Sequence, residues 1–518
     1  MTAALLAPAL VRGQAPAPAD EFDFIIIGAG SAGCVLADRL SAHPQNRVLL
    51  IEAGGPETAP AIHIPGKWTS LMGTPVDWGY STEPDSGLAG RSVKWPRGKS
   101  HGGSSSINAM AYVRGHRLCY RAWAERAGPA WDYAALLPYF RRVEDNSRGA
   151  SAHHGAGGPL AVTDTTDPHA GHLAFLEAAR LHGYAASPAY DFDGARQENG
   201  AGFYQKNIKG GRRHSAAAAF LVPALARPNL TVWSDTLAER IVLRGTRATG
   251  VDVRRAGARL TARARREVIV SAGAIESPKL LMLSGIGPAD ELRRHGIRVQ
   301  HELPGVGRNL SDHLRVSQRW HGKTTLPPST VSAGLFVYSS AAAARRATAA
   351  PDLQFYIGRG LDTPDPFITL TVAGAQPASV GTITLRSADP AAAPVITPNY
   401  LSEPGDLHAL VEGVKLAQSL AYSRAYDELR GEPADPAGSP RTDREIADFI
   451  RRSADTIFHP AGTCAMGRGG AAVVDPDLRV RGLSGLRVAD ASIFPVNLNS
   501  QLHAACVMVG ERAAELVD

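Results

Sequence analysis

Near its N-terminus the chain reads FDFIIIGAGSAG, a run dense in apolar and β-branched residues that passes straight into glycines 28, 30 and 33. The apolar run, residues 22–27, suits a buried parallel strand. Residues 31–42 have a helix-compatible composition that His43–Pro44 stops, and residues 47–51 predict a second strand ending at Glu52. Together they make one strand–helix–strand unit of about 30 residues. Gly28 permits the tight turn, Gly30 lets backbone amides approach a pyrophosphate, and Gly33 allows the helix to pack closely on the strand. The helix N-terminus adds partial positive charge. Glu52 stands where a carboxylate accepts hydrogen bonds from both ribose hydroxyls and repels a 2′-phosphate, which disfavours NADP. Ser31 and Ala53 flank these positions and are counted with them as cofactor contacts. The turn by itself leaves FAD and NAD both open.

Two further segments resemble strand ends. Residues 268–271 predict a strand leading into GAIESPKLLML, with a helix expected over 277–283, and apolar residues 486–489 precede Asp490. Strand tips from remote parts of the chain are thereby available to one extended ligand. Alternating segments at 230–233, 241–243 and 251–253 predict an antiparallel insertion. Residues 313–454 carry strand-like GTITLRS and helical stretches without another glycine fingerprint, and the alanine-rich 341–350 predicts a surface helix or loop. No internal repeat is present.

At 518 residues the chain exceeds the usual reach of one hydrophobic core, so two domains are expected. With 44% hydrophobic and 20% charged residues it belongs with globular proteins. The net charge of +6 is small for this length, and arginine groups such as 263–266 are read as solvated faces, so no nucleic-acid partner is expected. The four cysteines (34, 119, 464 and 506) form neither a CxxC nor a metal-ligand pattern, and neither a disulfide framework nor a metal site is expected. No apolar run approaches the roughly 18 residues of a membrane span. Residues 1–20, rich in alanine and proline, read either as a disordered leader or as the back half of an export signal of the twin-arginine kind, without the arginine pair. The expectation is a soluble protein, cytoplasmic or periplasmic.

The remaining motifs resemble the glucose-methanol-choline (GMC) oxidoreductase family, from about Phe22 to Glu515. PRGKSHGGSSSINAMAYVRGH at 96–116 is similar to the family's first signature, and GAIESPKLLMLSGIG at 273–287 to its second. PGVGRNLSDH at 304–313, FHPAGTCAMG at 458–467 and LRVADASIFP at 486–495 follow in family order. The resemblance implies an α/β (α+β) chain in which a Rossmann-like FAD-binding domain (21–160, 205–312 and 455–518) is interleaved with a substrate-binding domain of antiparallel sheet plus helices (161–204 and 313–454). It implies an FAD enzyme oxidising the CH–OH group of an alcohol, with O2 or a quinone- or dye-type compound as electron acceptor. Arg97, Gly103, Ser104, Asn108, Ala238, Asp490 and its neighbour Ala491 join the glycine turn as flavin contacts. Some members attach FAD through a histidine four positions after the second glycine of GGSSS; Ile107 stands at that position, so the cofactor is expected to be non-covalent.

Alcohol oxidation by a flavin needs a base for the hydroxyl proton while hydride leaves for flavin N5, and an imidazole is neutral and basic at working pH. By resemblance that base is His459. The family's second catalytic position falls on Gln501, where histidine or asparagine is usual. Gln501 donates a hydrogen bond but is no base, whereas His503 takes over if the backbone there is extended, since residues two apart then share a face. The same scaffold also serves lyases and light-driven decarboxylases, which stand as the alternative activity; a flavin-binding protein without enzymatic activity is a third reading, disfavoured by the intact His459 segment. Two decoys accompany these motifs. GKSHG at 98–102 spells the GxSxG of serine hydrolases without a strong strand before it, and His153–His154 is a histidine pair without further ligands.

Overall fold

A computed structural model describes residues 21–345, 349–358, 361, 363–435 and 438–517. The leader expected at 1–20 lies outside the described residues. The opening unit forms as its sequence predicts: β1 (Glu21–Ile27), α1 (Ser31–Ser41) and β2 (Val48–Ile51), with β1 and β2 parallel and Ile27 level with Ile51. Both faces of this pair are covered, and Phe24, Ile25, Ile26 and Val48 to Leu50 are fully buried.

The chain returns to this sheet as β3 (Leu230–Trp233), β4 (Thr236–Arg244), β5 (Arg247–Arg255) and β6 (Ala258–Val270), followed by α2 (Gly273–Leu283), and again as β7 (Leu486–Val488) before α3 (His503–Val517). The strand order is β3-β2-β1-β6-β5-β4, with β7 also paired to β6. Strands β3, β2, β1, β6 and β7 are parallel where they adjoin, while β4 and β5 form the antiparallel insertion. Residues 230–233, expected within that insertion, instead lie parallel to β2 at the sheet's edge. The local pattern of a short apolar strand carries its faces and not its direction, which follows from where residues 217–224 deliver the chain beside α1.

β6 serves two neighbourhoods. Its first half pairs antiparallel with β5 and points Arg259, Thr261, Arg263 and Arg265 to solvent, while Val268 to Val270 are buried between β1 and β7. The arginine group is thus a solvated face, with Arg265 paired to Asp23.

α2 begins at Gly273, four residues before the helix expected from the sequence. Pro278 lies inside it and lacks the N–H that would bond the Ala274 carbonyl. The Thr463 hydroxyl donates to that carbonyl instead at 2.6 Å. Asp490 holds the helix start, accepting from Gly273 N at 2.8 Å and Ser277 Oγ at 2.6 Å.

A second sheet of eight strands runs in the order 430–433, 314–326, 365–374, 353–357, 333–337, 200–203 and 185–186, with 455–456 paired to the start of 314–326. It is antiparallel throughout except at its 185–186 edge. Helix Pro404–Ala421 packs on strand Asp365–Gly374. In the alanine-rich segment residues 341–344 are helical, and 346–348 lie outside the described residues.

Candidate active site

One cavity of about 370 Å³ extends from the β1–α1 turn to the start of the second sheet. At its first end Gly28 has φ of +101°, and a Cβ there would lie 2.5 Å from the Ser271 carbonyl oxygen. A Cβ at Gly33 would lie 1.9 Å from Gly28 O, whereas one at Gly30 would meet only Ser271 O, at 3.9 Å. Gly28 and Gly33 are therefore required by the protein's own backbone. Gly30 is not, and the free space above it is what a cofactor's phosphates need. Glu52 is buried, its Oε2 accepting from Ala29 N and its Oε1 from Gly54 N, each at 2.8 Å. Burial pushes its carboxyl up to about 7, against the pull of those amides. Each oxygen retains acceptor capacity for a ribose hydroxyl.

The wall above is the loop 97–108. Gly103 has φ of +53° and approaches Gly30 so closely that a Cβ would fall 2.8 Å from its Cα. The Ser104 hydroxyl receives Gly98 N at 3.2 Å. Asn108 Oδ1 accepts from Met110 N at 2.9 Å and from Arg213 Nη1 at 2.8 Å, leaving its amide NH2 as a donor. Arg213, buried, also donates to the carbonyls of Ile62, Ser105 and Asn108 and so fixes the loop's shape. Ala53, Ala238, Ala491 and Ile107 line the cavity with small or aliphatic groups. Asp490 lines it too; after Gly273 and Ser277 on Oδ2 and Ser492 N on Oδ1, one acceptor site is left on Oδ1. The fit to FAD rests on these features: a glycine cradle open above Gly30, a carboxylate with spare acceptor sites, a second glycine loop, and an aliphatic Ile107 that offers no nucleophile for attachment.

At the cavity's other end stands His459. Its backbone N–H donates to Asp312 Oδ1 at 2.8 Å, and its Nδ1 lies 3.0 Å from His313 Nδ1, the rings nearly perpendicular. Asp312 is buried and also receives the hydroxyls of Tyr400 and Thr456. Arg97 donates to the Phe458 carbonyl at 2.7 Å, which ties the 97–108 loop to the histidine segment. Burial first, then His313 and Arg97, hold the His459 ring well below the usual imidazole range. His313 is fully buried and pushed down to about 4.

Gln501 and His503 part company. Gln501 Nε2 donates to Tyr356 Oη at 3.1 Å, joining a chain in which Tyr356 donates to Gln354 at 2.6 Å and Gln354 to Tyr204 at 3.0 Å. His503 opens α3 directly after a bend at Leu502, so the extended stretch that would have set it on one face with Gln501 is absent. Its Nδ1 lies 2.8 Å from Ser31 Oγ at the glycine turn, its Nε2 has no partner among the described residues, and burial pushes it down to about 4. His503 thus faces the glycine turn, and Gln501 faces the second sheet through Tyr356.

Except for Gly33, which acts through packing, every residue expected at the site lines this one cavity. Asp312, His313, Arg213 and Tyr356 were given no role from the sequence; for the first two the signal lay in the segment 304–313, matched without assigning its last two side chains. Ser100 of the GxSxG decoy is buried and its hydroxyl bonds the His101 carbonyl. His154 bridges Glu144 and Asp191 in a buried polar cluster with Arg114.

Family models described as GMC oxidoreductase match residues 22–315 and 377–510. The chain belongs to the GMC oxidoreductase family. The mitochondrial choline dehydrogenase of Homo sapiens is 41% identical over 542 residues, covering 96% of this chain and 90% of that protein. The oxygen-dependent choline dehydrogenase of Brucella anthropi is 41% identical over 530 residues, covering 96% and 95%. Among solved structures, a pyridoxine 4-oxidase from Mesorbium loti superposes with a TM-score of 0.88 at 33% identity, covering 95% of this chain and 98% of that one. A formate oxidase of Aspergillus oryzae reaches 0.87 at 27% identity, covering 96% and 98%. This GMC oxidoreductase is an FAD-dependent enzyme that oxidises the CH–OH group of an alcohol, and neither a lyase nor a decarboxylase reading gains support. Among the described residues no helix is long and apolar enough to cross a membrane.

Proposed function

We propose that His459 is the general base of alcohol oxidation, that Gln501 orders the substrate end through Tyr356, and that His503 serves the cofactor end. The observation that carries this is the place of His459: neutral, anchored by Asp312 and His313, and open to the cavity that begins at the glycine turn. Bound FAD supplies the hydride acceptor. For His459 Nε2 to take the hydroxyl proton, its Nδ1 must carry hydrogen and donate to His313 Nδ1. His313 then holds its own proton on Nε2, an atom with no hydrogen-bond partner among the described residues. Burial excludes water and keeps both rings uncharged until the substrate arrives. The sheet of 314–326 and its neighbours forms the substrate domain, and the sheet of β1 to β7 the cofactor domain. The electron acceptor would be O2 or a quinone- or dye-type compound, and stopped-flow mixing of the reduced enzyme with air separates the two.

The test is substitution of His459 by alanine. With FAD content unchanged, flavin reduction under saturating alcohol is expected to slow by at least about 100-fold, the lower end of what a positioned base contributes. A variant that reduces its flavin at the native rate removes His459 from the mechanism.

A further inference from the structure

The walls at the His459 end carry a charge pattern that bears on which alcohol enters. Among the described residues three carboxylates line the cavity, each hydrogen-bonded by the protein: Glu52 at the glycine turn, Asp490 at the start of α2, and Glu276, which takes the Tyr80 hydroxyl at 2.5 Å and Lys279 at 3.1 Å. The charged side chain that the second sheet gives to the cavity wall is a cation, Arg315, ion-paired on one side with Asp455. It lies two residues beyond His313 where that sheet begins, on the same face of an extended chain and therefore about 7 Å further along. Its Nε donates to the Thr456 carbonyl and its Nη2 to Asp455, each at 2.9 Å, which fixes the guanidinium and leaves Nη1 without a hydrogen bond among the described residues. Thr369, also in the cavity wall, stands opposite Arg319 further along the sheet, and its Oγ1 is shielded from solvent with no partner among the described residues. A polar atom left so is satisfied by a ligand or water.

We propose that this end of the cavity receives an alcohol whose far end carries a carboxylate or a comparable anion, bound by Arg315 Nη1. The proposal rests on the alcohol-oxidation reading above and narrows it. A planar guanidinium with free N–H groups is suited to carboxylate oxygens. The opposite charge is disfavoured here. A trimethylammonium needs aromatic faces or a carboxylate, and the Tyr204–Tyr356 pair at this end, 5.7 Å between centroids, shares its wall with a cation, Arg315. Choline, named in two of the relatives, is on this account a poor substrate.

Anaerobic flavin reduction of the holoenzyme tests it with two series of primary alcohols: γ-hydroxybutyrate, n-butanol and choline, and hydroxymethylbenzoate, benzyl alcohol and its trimethylammonium analogue. The anionic member of a series is expected to have the highest apparent second-order rate constant, exceeding the cationic one by at least about tenfold, the equivalent of one charge-assisted contact. Arg315→Gln is expected to lower the anionic-to-neutral ratio by about tenfold, Arg315→Lys to restore part of it, and Asp455→Asn, which frees the guanidinium, to raise it, with FAD stoichiometry checking that each variant is folded. Equal or better reduction by the cationic alcohols, or a ratio that Arg315→Gln and Asp455→Asn both leave alone, overturns the proposal. Flavin that stays oxidised with every member of both series overturns the alcohol-oxidation reading beneath it, a result distinct from bleaching without charge preference.

Discussion

His459 sits among groups that all disfavour a charged ring, and its pH behaviour follows. A base works only when unprotonated, and it is protonated below its own pKa; because that pKa is held well below the ordinary 6.5, loss of activity on acidification is displaced downward. The acid limb of kcat/KM is expected well below pH 6.5. A limb at or above that value means the base is another group or the ring is not desolvated. His313 acts through His459 and is a positioning residue. His313→Ala leaves Nδ1 of His459 without its partner and frees the wrong tautomer, so kcat should fall by about 10- to 100-fold, as for other groups that orient an imidazole. FAD content and KM should stay near native values; a change confined to thermal stability would reduce His313 to a packing role. His459 was legible in the sequence because a decapeptide surrounds it. His313 was not, since only folding brings Nδ1 to Nδ1 across 146 residues.

Among the elements, the β1–α1 turn was the most legible because its chemistry is local: strand, glycines, helix and acid succeed one another within one unit. The three glycines nonetheless do different work. Gly33→Ala drives a methyl into the Gly28 carbonyl and is expected to give insoluble or unfolded protein, whereas Gly30→Ala meets nothing nearer than 3.9 Å and should fold with weakened FAD binding. Circular dichroism with flavin titration separates the two, and a Gly30→Ala protein that retains native FAD affinity would place the phosphates elsewhere. The parallel seat of β3 was not legible, because a four-residue apolar strand specifies faces and not neighbours. Nor was the early start of α2, since the Thr463 hydroxyl that replaces the bond lost at Pro278 comes from a distant segment. The helical setting of His503 likewise depends on α3 docking against α1, where a Cβ at Gly510 would lie 2.8 Å from Ala32 O.

For the whole molecule, the site exists because β1, β6 and β7 are parallel neighbours whose C-terminal ends share one edge, the edge at which open α/β sheets bind ligands. That edge gathers the glycine turn, Ser271 and Asp490, and the 97–108 loop and the His459 segment close over it from the side of the second sheet. The order of the motifs along the chain gave the cofactor end; the substrate end, built from strands with no motif of their own, came from the fold alone. Such a molecule does its chemistry on the bound flavin, so the absorbance of that flavin reports the central claim. During anaerobic mixing with its alcohol, the spectrum is expected to bleach in a single turnover and to recover with an acceptor, with FAD released intact on denaturation. A flavin that remains oxidised while the alcohol is consumed would contradict the account.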